Sequence, residues 1–195
     1  RLDSDNFQEK FSKELDDFTK LTNNKSKGFR APTFSLNEKS AWVVDILEKQ
    51  GYLYDSSIVP VKTSMYGNSN APKNPYKITS NSLYENNDNG KIIEFPLMIT
   101  KFLGKTVPSG GGFYLRTLPF NVTKKAINEY ERENIPGVFY IHSWELTPEH
   151  MPKIKLSMKD NFITYHNLDK SHKRMNELLS NFKFTSFERF IQNKF

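Results

Sequence analysis

The chain has 195 residues, 28 Lys and Arg against 22 Asp and Glu, and a net charge of +6; 36% of it is hydrophobic and 14% aromatic. This fits one folded domain, or a domain with an appendage, and it excludes a membrane-spanning helix because Glu94, Pro96 and His142 break the longest apolar runs. The absence of cysteine excludes disulfides and thiolate metal sites, and the first residues hold no secretory apolar core.

Phe7, Phe11, Leu15, Phe18 and Leu21 recur at helical spacing and predict an amphipathic helix, with Asp5 and Gln8 placed as a capping box. Gly28-Phe29-Arg30 reads as a short strand running into Pro32. Asn37 is positioned to cap a second helix over residues 38–50, stopped by Gly51, and residues 52–54 resume as a strand. The alternation helix–strand–helix–strand is that of a parallel α/β sheet or barrel.

Residues 62–90 are rich in Asn, Ser, Lys, Pro and Tyr and lack periodicity, the mark of a functional or mobile loop. Residues 91–99 predict a strand, and Glu94 with Pro96 suggests an edge or a strand end. Gly110-Gly111-Gly112 is no phosphate loop, since no Gly-Lys-Ser/Thr follows. Asn121 should cap a helix over residues 122–133, and Pro136-Gly137 should turn into a strand over 138–141. Two helices are expected to close the chain. Asp169 would cap one carrying Met175, Leu178 and Leu179, and Thr185 with Glu188 would open the other.

Positive charge is concentrated late: residues 150–195 hold nine Lys and Arg against four Asp and Glu. That pattern is a solvated basic face or a surface for anionic glycan, nucleic acid or lipid; no nucleic-acid-binding motif accompanies it, and no nucleic-acid partner is expected.

The candidate chemistry starts with His142, which ends an apolar run and delivers a titratable ring into the polar-aromatic cluster Ser143-Trp144-Glu145. It is either a general acid or base at a strand end or a histidine satisfied by its neighbours. Arg30 sits before Ala31-Pro32, where a helix cannot continue; it either orients a buried carboxylate or makes a surface ion pair. Asp55, ahead of Ser56-Ser57, either touches a site or forms a local turn. Glu94 and Arg116 are a structural pair or substrate contacts. His150, His166 and His172 lack metal-ligand spacing.

The segments GFRAPTFSL, GYLYDSSIVPV, YGNSNAPKNPY, IIEFPLMITKFLGKTVPSGGGFYLRTLPF and FYIHSWELTPEH, in that order, resemble the polysaccharide deacetylases of the nodulation-factor deacetylase superfamily, and within them the exopolysaccharide-associated branch. The tail YHNLDKSHKRM…NFKFTSFERFI resembles that branch's C-terminal extension. The resemblance implies a distorted, incomplete (β/α) barrel over residues 1–150 with a helical extension over 151–195 packed on it. It implies a divalent metal, usually zinc, and a hydrolase that removes N-acetyl groups from a cell-surface or exported glycan or its precursor.

By the same resemblance, Arg30-Ala31-Pro32 matches the arginine-proline motif, in which the arginine tunes the catalytic base and Pro32 shapes the groove. His142 matches the late histidine that protonates the leaving amine. Trp144 and Glu145 fall in the branch's His-x-Trp-Glu pattern, with Ser143 at a position commonly held by proline, and these two join Arg116 as substrate-binding candidates. The family's aspartate pair and metal-binding histidines are absent from this sequence, which corresponds either to the C-terminal two-thirds of such a protein, with the metal ligands expected outside it, or to a divergent product that has lost its metal half. A barrel lacking its first strands leaves edges and apolar surface exposed, which predicts a homo-oligomer, a swapped arrangement or further residues upstream. A cytoplasmic or membrane-peripheral location is expected. The alternative function is a non-catalytic glycan-binding or partner-subunit remnant, for which Tyr66, Tyr76, Phe113 and Tyr114 would supply aromatic faces.

Overall fold

In the computed structural model, which describes residues 5–194, α1 (Asp5–Thr22) follows the predicted helical spacing. The side chain of Asp5, the expected cap, lies outside the described residues. Only the middle of the apolar stripe reaches the core. Phe11 meets Phe29 and Trp42 edge-on at 5.5 and 5.8 Å, and Leu15 packs beside it. Phe7, Phe18 and Leu21 remain exposed, Leu21 by 86%.

The chain divides into two compact units, one ending at Pro96 and one starting at Leu97. In the first, β1 (Gly28–Phe29) leads to a tight turn at Pro32–Phe34. Asn37 does cap, and reciprocally: its side chain accepts the Lys39 N–H at 2.9 Å while Ser40 Oγ accepts the Asn37 N–H at 3.0 Å. The capped element is a single 3-10 turn, Glu38–Ser40, feeding α2 (Trp42–Lys49), whose Val44 and Leu47 are fully buried. Burying a side chain such as Leu47 contributes roughly 1.5–3 kcal/mol. Gly51 follows with φ of 76°, the left-handed conformation that stops the helix.

Three strands complete this unit: β2 (Tyr54–Asp55), β3 (Tyr76–Ile78) and β4 (Ile92–Glu94). The sheet order is β1-β2-β4-β3, with the first three parallel and β3 antiparallel at the edge. Two expectations change here. Of the two readings of residues 91–99, the strand end holds and the edge does not: Glu94 ends β4, which is central, and is fully buried, with Pro96 just beyond it. Residues 62–90 are not structureless, since they contain β3, and Tyr76 and Ile78 are buried on the core side with Leu83.

The second unit opens with a hairpin of β5 (Ile99–Phe102) and β6 (Lys105–Pro108). Leu103 and Gly104 join the strands with φ of 49° and 76°, the two positive values that a twisted two-residue hairpin turn requires. Beyond it come α3 (Gly112–Thr117), α4 (Phe120–Arg132), α5 (Ser143–Leu146), α6 (Met158–Tyr165), α7 (Ser171–Asn181) and α8 (Phe187–Lys194). Met98, Ala126 and Tyr130 form a small core with Ile127, Ile135 and Phe139. Tyr130 is buried there and its hydroxyl accepts the Ile99 N–H at 3.1 Å; burial pushes its titration up to about 12.

Several caps shift. α4 starts at Phe120 after Pro119, ahead of Asn121. Asp169 lies inside a 3-10 turn, Leu168–Lys170, before α7. In front of α8 it is Ser186 whose hydroxyl accepts the Arg189 N–H, at 3.3 Å. Residues 138–141 pair only through two parallel bridges, Leu97 with Val138 and Gly111 with Tyr140. Among the described residues the architecture is mixed α/β, neither sheet closes on itself, and no helix is long and apolar enough to cross a membrane.

Candidate functional site

In the first unit, the C-terminal ends of the three parallel strands bring Arg30, Asp55 and Glu94 close together. Ligands of open α/β sheets bind at this edge. Asp55 and Glu94 are partners in the β2–β4 register, and both are fully buried. The Asp55-Ser56-Ser57 run explains itself as wiring between strands. Arg30 Nε donates to the Ser56 carbonyl at 2.7 Å, and its NH2 group donates to Ser56 Oγ at 2.7 Å. Ser56 Oγ in turn donates to the Phe95 carbonyl at 2.8 Å. The Ala31 N–H donates to Ser57 Oγ, which donates to Asp55 Oδ1, each at 2.7 Å. Glu94 accepts from the Ile58 N–H at 2.9 Å and, more loosely, from the Ser57 N–H at 3.4 Å.

Burial holds the Glu94 carboxyl well above the usual carboxylate range, and the charge of Asp55 beside it adds to the rise; the Ile58 and Ser57 N–H groups pull the other way. Burial raises Asp55 too, against the pull of hydrogen bonds from Glu94, Ser57 and Ser56 and of the Arg30 charge. Immediately after Pro32, itself exposed, Thr33 and Phe34 both adopt left-handed backbone with φ of 54° and 53°. Two consecutive non-glycine residues in that region are a strained turn of the kind that collects at functional sites. Phe34 is buried, and its ring lies 5.6 Å from the Arg30 guanidinium.

In the second unit, His142 stands just ahead of α5 with its ring exposed. The ring stacks on Trp144 at 5.5 Å and 12° and meets Tyr140 edge-on at 5.4 Å. Glu145 reaches back from the first turn of α5 to accept the His142 N–H at 3.0 Å. Its other oxygen accepts from Arg116 Nε at 3.0 Å, inside the protein.

Arg116 is 1% exposed, and each of its nitrogens is used: NH1 donates to the His166 carbonyl at 2.6 Å and NH2 to the Ile163 carbonyl at 3.0 Å. The guanidinium also lies 5.9 Å from the Trp144 ring. Arg116 and Glu145, read from sequence as substrate contacts, are therefore turned inward, where they fix the backbone and platform of His142. The glycine run serves the same packing. A Cβ on Gly110 would sit 2.1 Å from the Val138 carbonyl oxygen, and one on Gly112 would sit 2.0 Å from the Glu145 carboxylate.

Sequence reasoning singled out Arg30, Asp55, Arg116, His142, Trp144 and Glu145, and offered Glu94 with Arg116 as a structural pair or as substrate contacts. Arg116 pairs with Glu145, and Glu94 sits beside Asp55. The role of Ser57 was missed. The readable signal was Glu94 itself, one charge inside the apolar run Ile92-Ile93-Glu94-Phe95. Among the described residues no group of three or more His, Asp or Glu could hold a metal ion; the sequence reading puts the zinc ligands outside this chain. Of the aromatic residues proposed for glycan contact, Tyr76 is buried with its hydroxyl donating to the Leu83 carbonyl at 2.7 Å.

No curated protein and no solved structure matches this sequence. Residues 56–192 match the family described as a domain of unknown function, DUF3473. That match spans more than half of the chain and takes in Asp55's serine neighbours, Glu94, Arg116 and the His142 segment, so the protein belongs to the DUF3473 family.

Proposed function

We propose that this chain is part of a polysaccharide-deacetylase-type hydrolase that removes N-acetyl groups from a surface or exported glycan, and that its parallel strands belong to a distorted (β/α) barrel. The observation that carries the reading is His142: an exposed imidazole whose backbone is clamped by Glu145 and whose ring rests on Trp144. Amide hydrolysis needs a proton on the departing amine, and a ring that is solvent-facing yet held in orientation is suited to deliver it. Arg30, held by Ser56 and followed by a strained turn, supplies a fixed cation for orienting a carboxylate base. Arg116 and Glu145 act through the histidine's platform.

The test is acetate release from an N-acetylated oligosaccharide by a protein that also carries the upstream motifs. His142→Ala should abolish turnover and leave thermal unfolding unchanged. Full activity in that variant would end the assignment.

A second reading is a non-catalytic glycan-binding module. The half-buried rings of Tyr66, which packs on Phe34, and of Phe113 and Tyr114, which pack on each other, are the sugar-stacking candidates. Glycan affinity that survives chelation, with no acetate released, would favour this reading.

A further inference from the structure

Glu94 and Asp55 face each other as register partners with no access to solvent. Asp55 Oδ1 takes the Ser57 hydroxyl, and both Glu94 oxygens take backbone N–H groups. No amide or hydroxyl donor reaches Asp55 Oδ2, although the atom is buried. Two ionised carboxylates offer only acceptors, so side by side in a dry interior they repel and leave that oxygen unmatched. A single proton between them removes both problems. We infer that Asp55 and Glu94 form a one-proton carboxyl pair, and that this proton keeps the Arg30-Ala31 segment docked on the strand ends.

Glu94 is the carrier. The Arg30 charge and the Ser57 hydroxyl favour the charged form of Asp55, leaving Glu94 to donate to Oδ2. The link to Arg30 is short: Ala31 N–H to Ser57 Oγ, and Ser57 Oγ to Asp55. Loss of the proton places a second negative charge beside Asp55 and loosens the serine that anchors Ala31. The other titratable group facing the pair is Tyr76 on β3, whose hydroxyl is committed to the Leu83 carbonyl and whose titration burial drives upward, so it stays neutral. Asp55 and Glu94 are then positioning residues for Arg30. This inference does not rest on the deacetylase reading, because it is measured on protons of this chain.

The experiment follows the Glu94 side-chain carboxyl by carbon NMR across pH, together with the Ala31 amide and Arg30 Nε–H signals. Glu94 should ionise well above the ordinary carboxylate range, and the Ala31 and Arg30 signals should move in the same step. In Glu94→Gln, whose amide supplies a permanent donor to Asp55, the step should vanish and both signals should keep their neutral-pH positions. Ionisation of Glu94 in the ordinary range, or Ala31 and Arg30 signals indifferent to it, overturns the inference; both outcomes are read on the unmodified chain, so a failure of the variant to fold changes nothing.

Discussion

Arg116 is the side chain whose loss should be felt most. It is buried, it neutralises Glu145, and it satisfies two backbone carbonyls. Arg116→Met should lower stability by about 3–5 kcal/mol, because it leaves a carboxylate uncompensated inside the protein. Arg116→Lys should recover little, since an ammonium cannot address three directions in one plane. Urea unfolding of both variants checks this. Glu94 sets a pH dependence of definite sign. Its titration is raised in the folded chain, so the stability it contributes is complete below the ordinary glutamate value and is lost as pH rises through the folded one. The thermal unfolding midpoint should therefore fall from mildly acidic toward alkaline pH. In Glu94→Gln that part of the slope should be gone.

Among the elements, the glycines give the sharpest expectations. Gly104→Ala places an L-residue at φ of 76° with nothing nearby to clash, so backbone strain alone should cost about 1 kcal/mol. Gly112→Ala meets the Glu145 carboxylate and should cost about 1–3 kcal/mol while shifting the His142 signals by NMR.

How much was legible in the sequence follows local signals: β1 and β2, two residues each, were marked by Pro32 after one and Gly51 before the other. α1 shows several turns of periodic apolar residues, α2 and α4 were read from the capping and stop residues beside them, and the helix–strand alternation correctly indicated parallel strands. β3 spans three residues and α5 four, too short for any period to register. Caps failed where two candidates stood side by side, as with Thr185 and Ser186, because composition does not say which residue leaves the helical backbone. At the site, Arg30 and His142 stood out through abrupt changes from apolar to polar. The Asp55–Glu94 contact depends on strand register over a separation of 39 residues, which no local pattern records.

For the molecule as a whole, charge and exposed apolar surface act together. A net charge of +6 favours solubility, yet Leu21 and Met158 are 86% and 93% exposed. The combined Leu21→Lys and Met158→Lys variant should stay monomeric to higher concentration than the parent in sedimentation velocity. Equal association in both would mean that neither side chain is part of the contact.

Buried Arg116 and half-buried Arg174 bear on where this chain could be divided. Arg116 donates to the carbonyls of Ile163 and His166, and Arg174 donates back to those of Leu115, Arg116 and Leu118. The links run in both directions, like a double stitch through the two sides of a seam. Cutting near residue 150 would strand a cation on one side and orphaned carbonyls on the other. The basic C-terminal stretch is thus a structural partner of the histidine segment and not a detachable tail, and pieces separated there should regain order only when mixed.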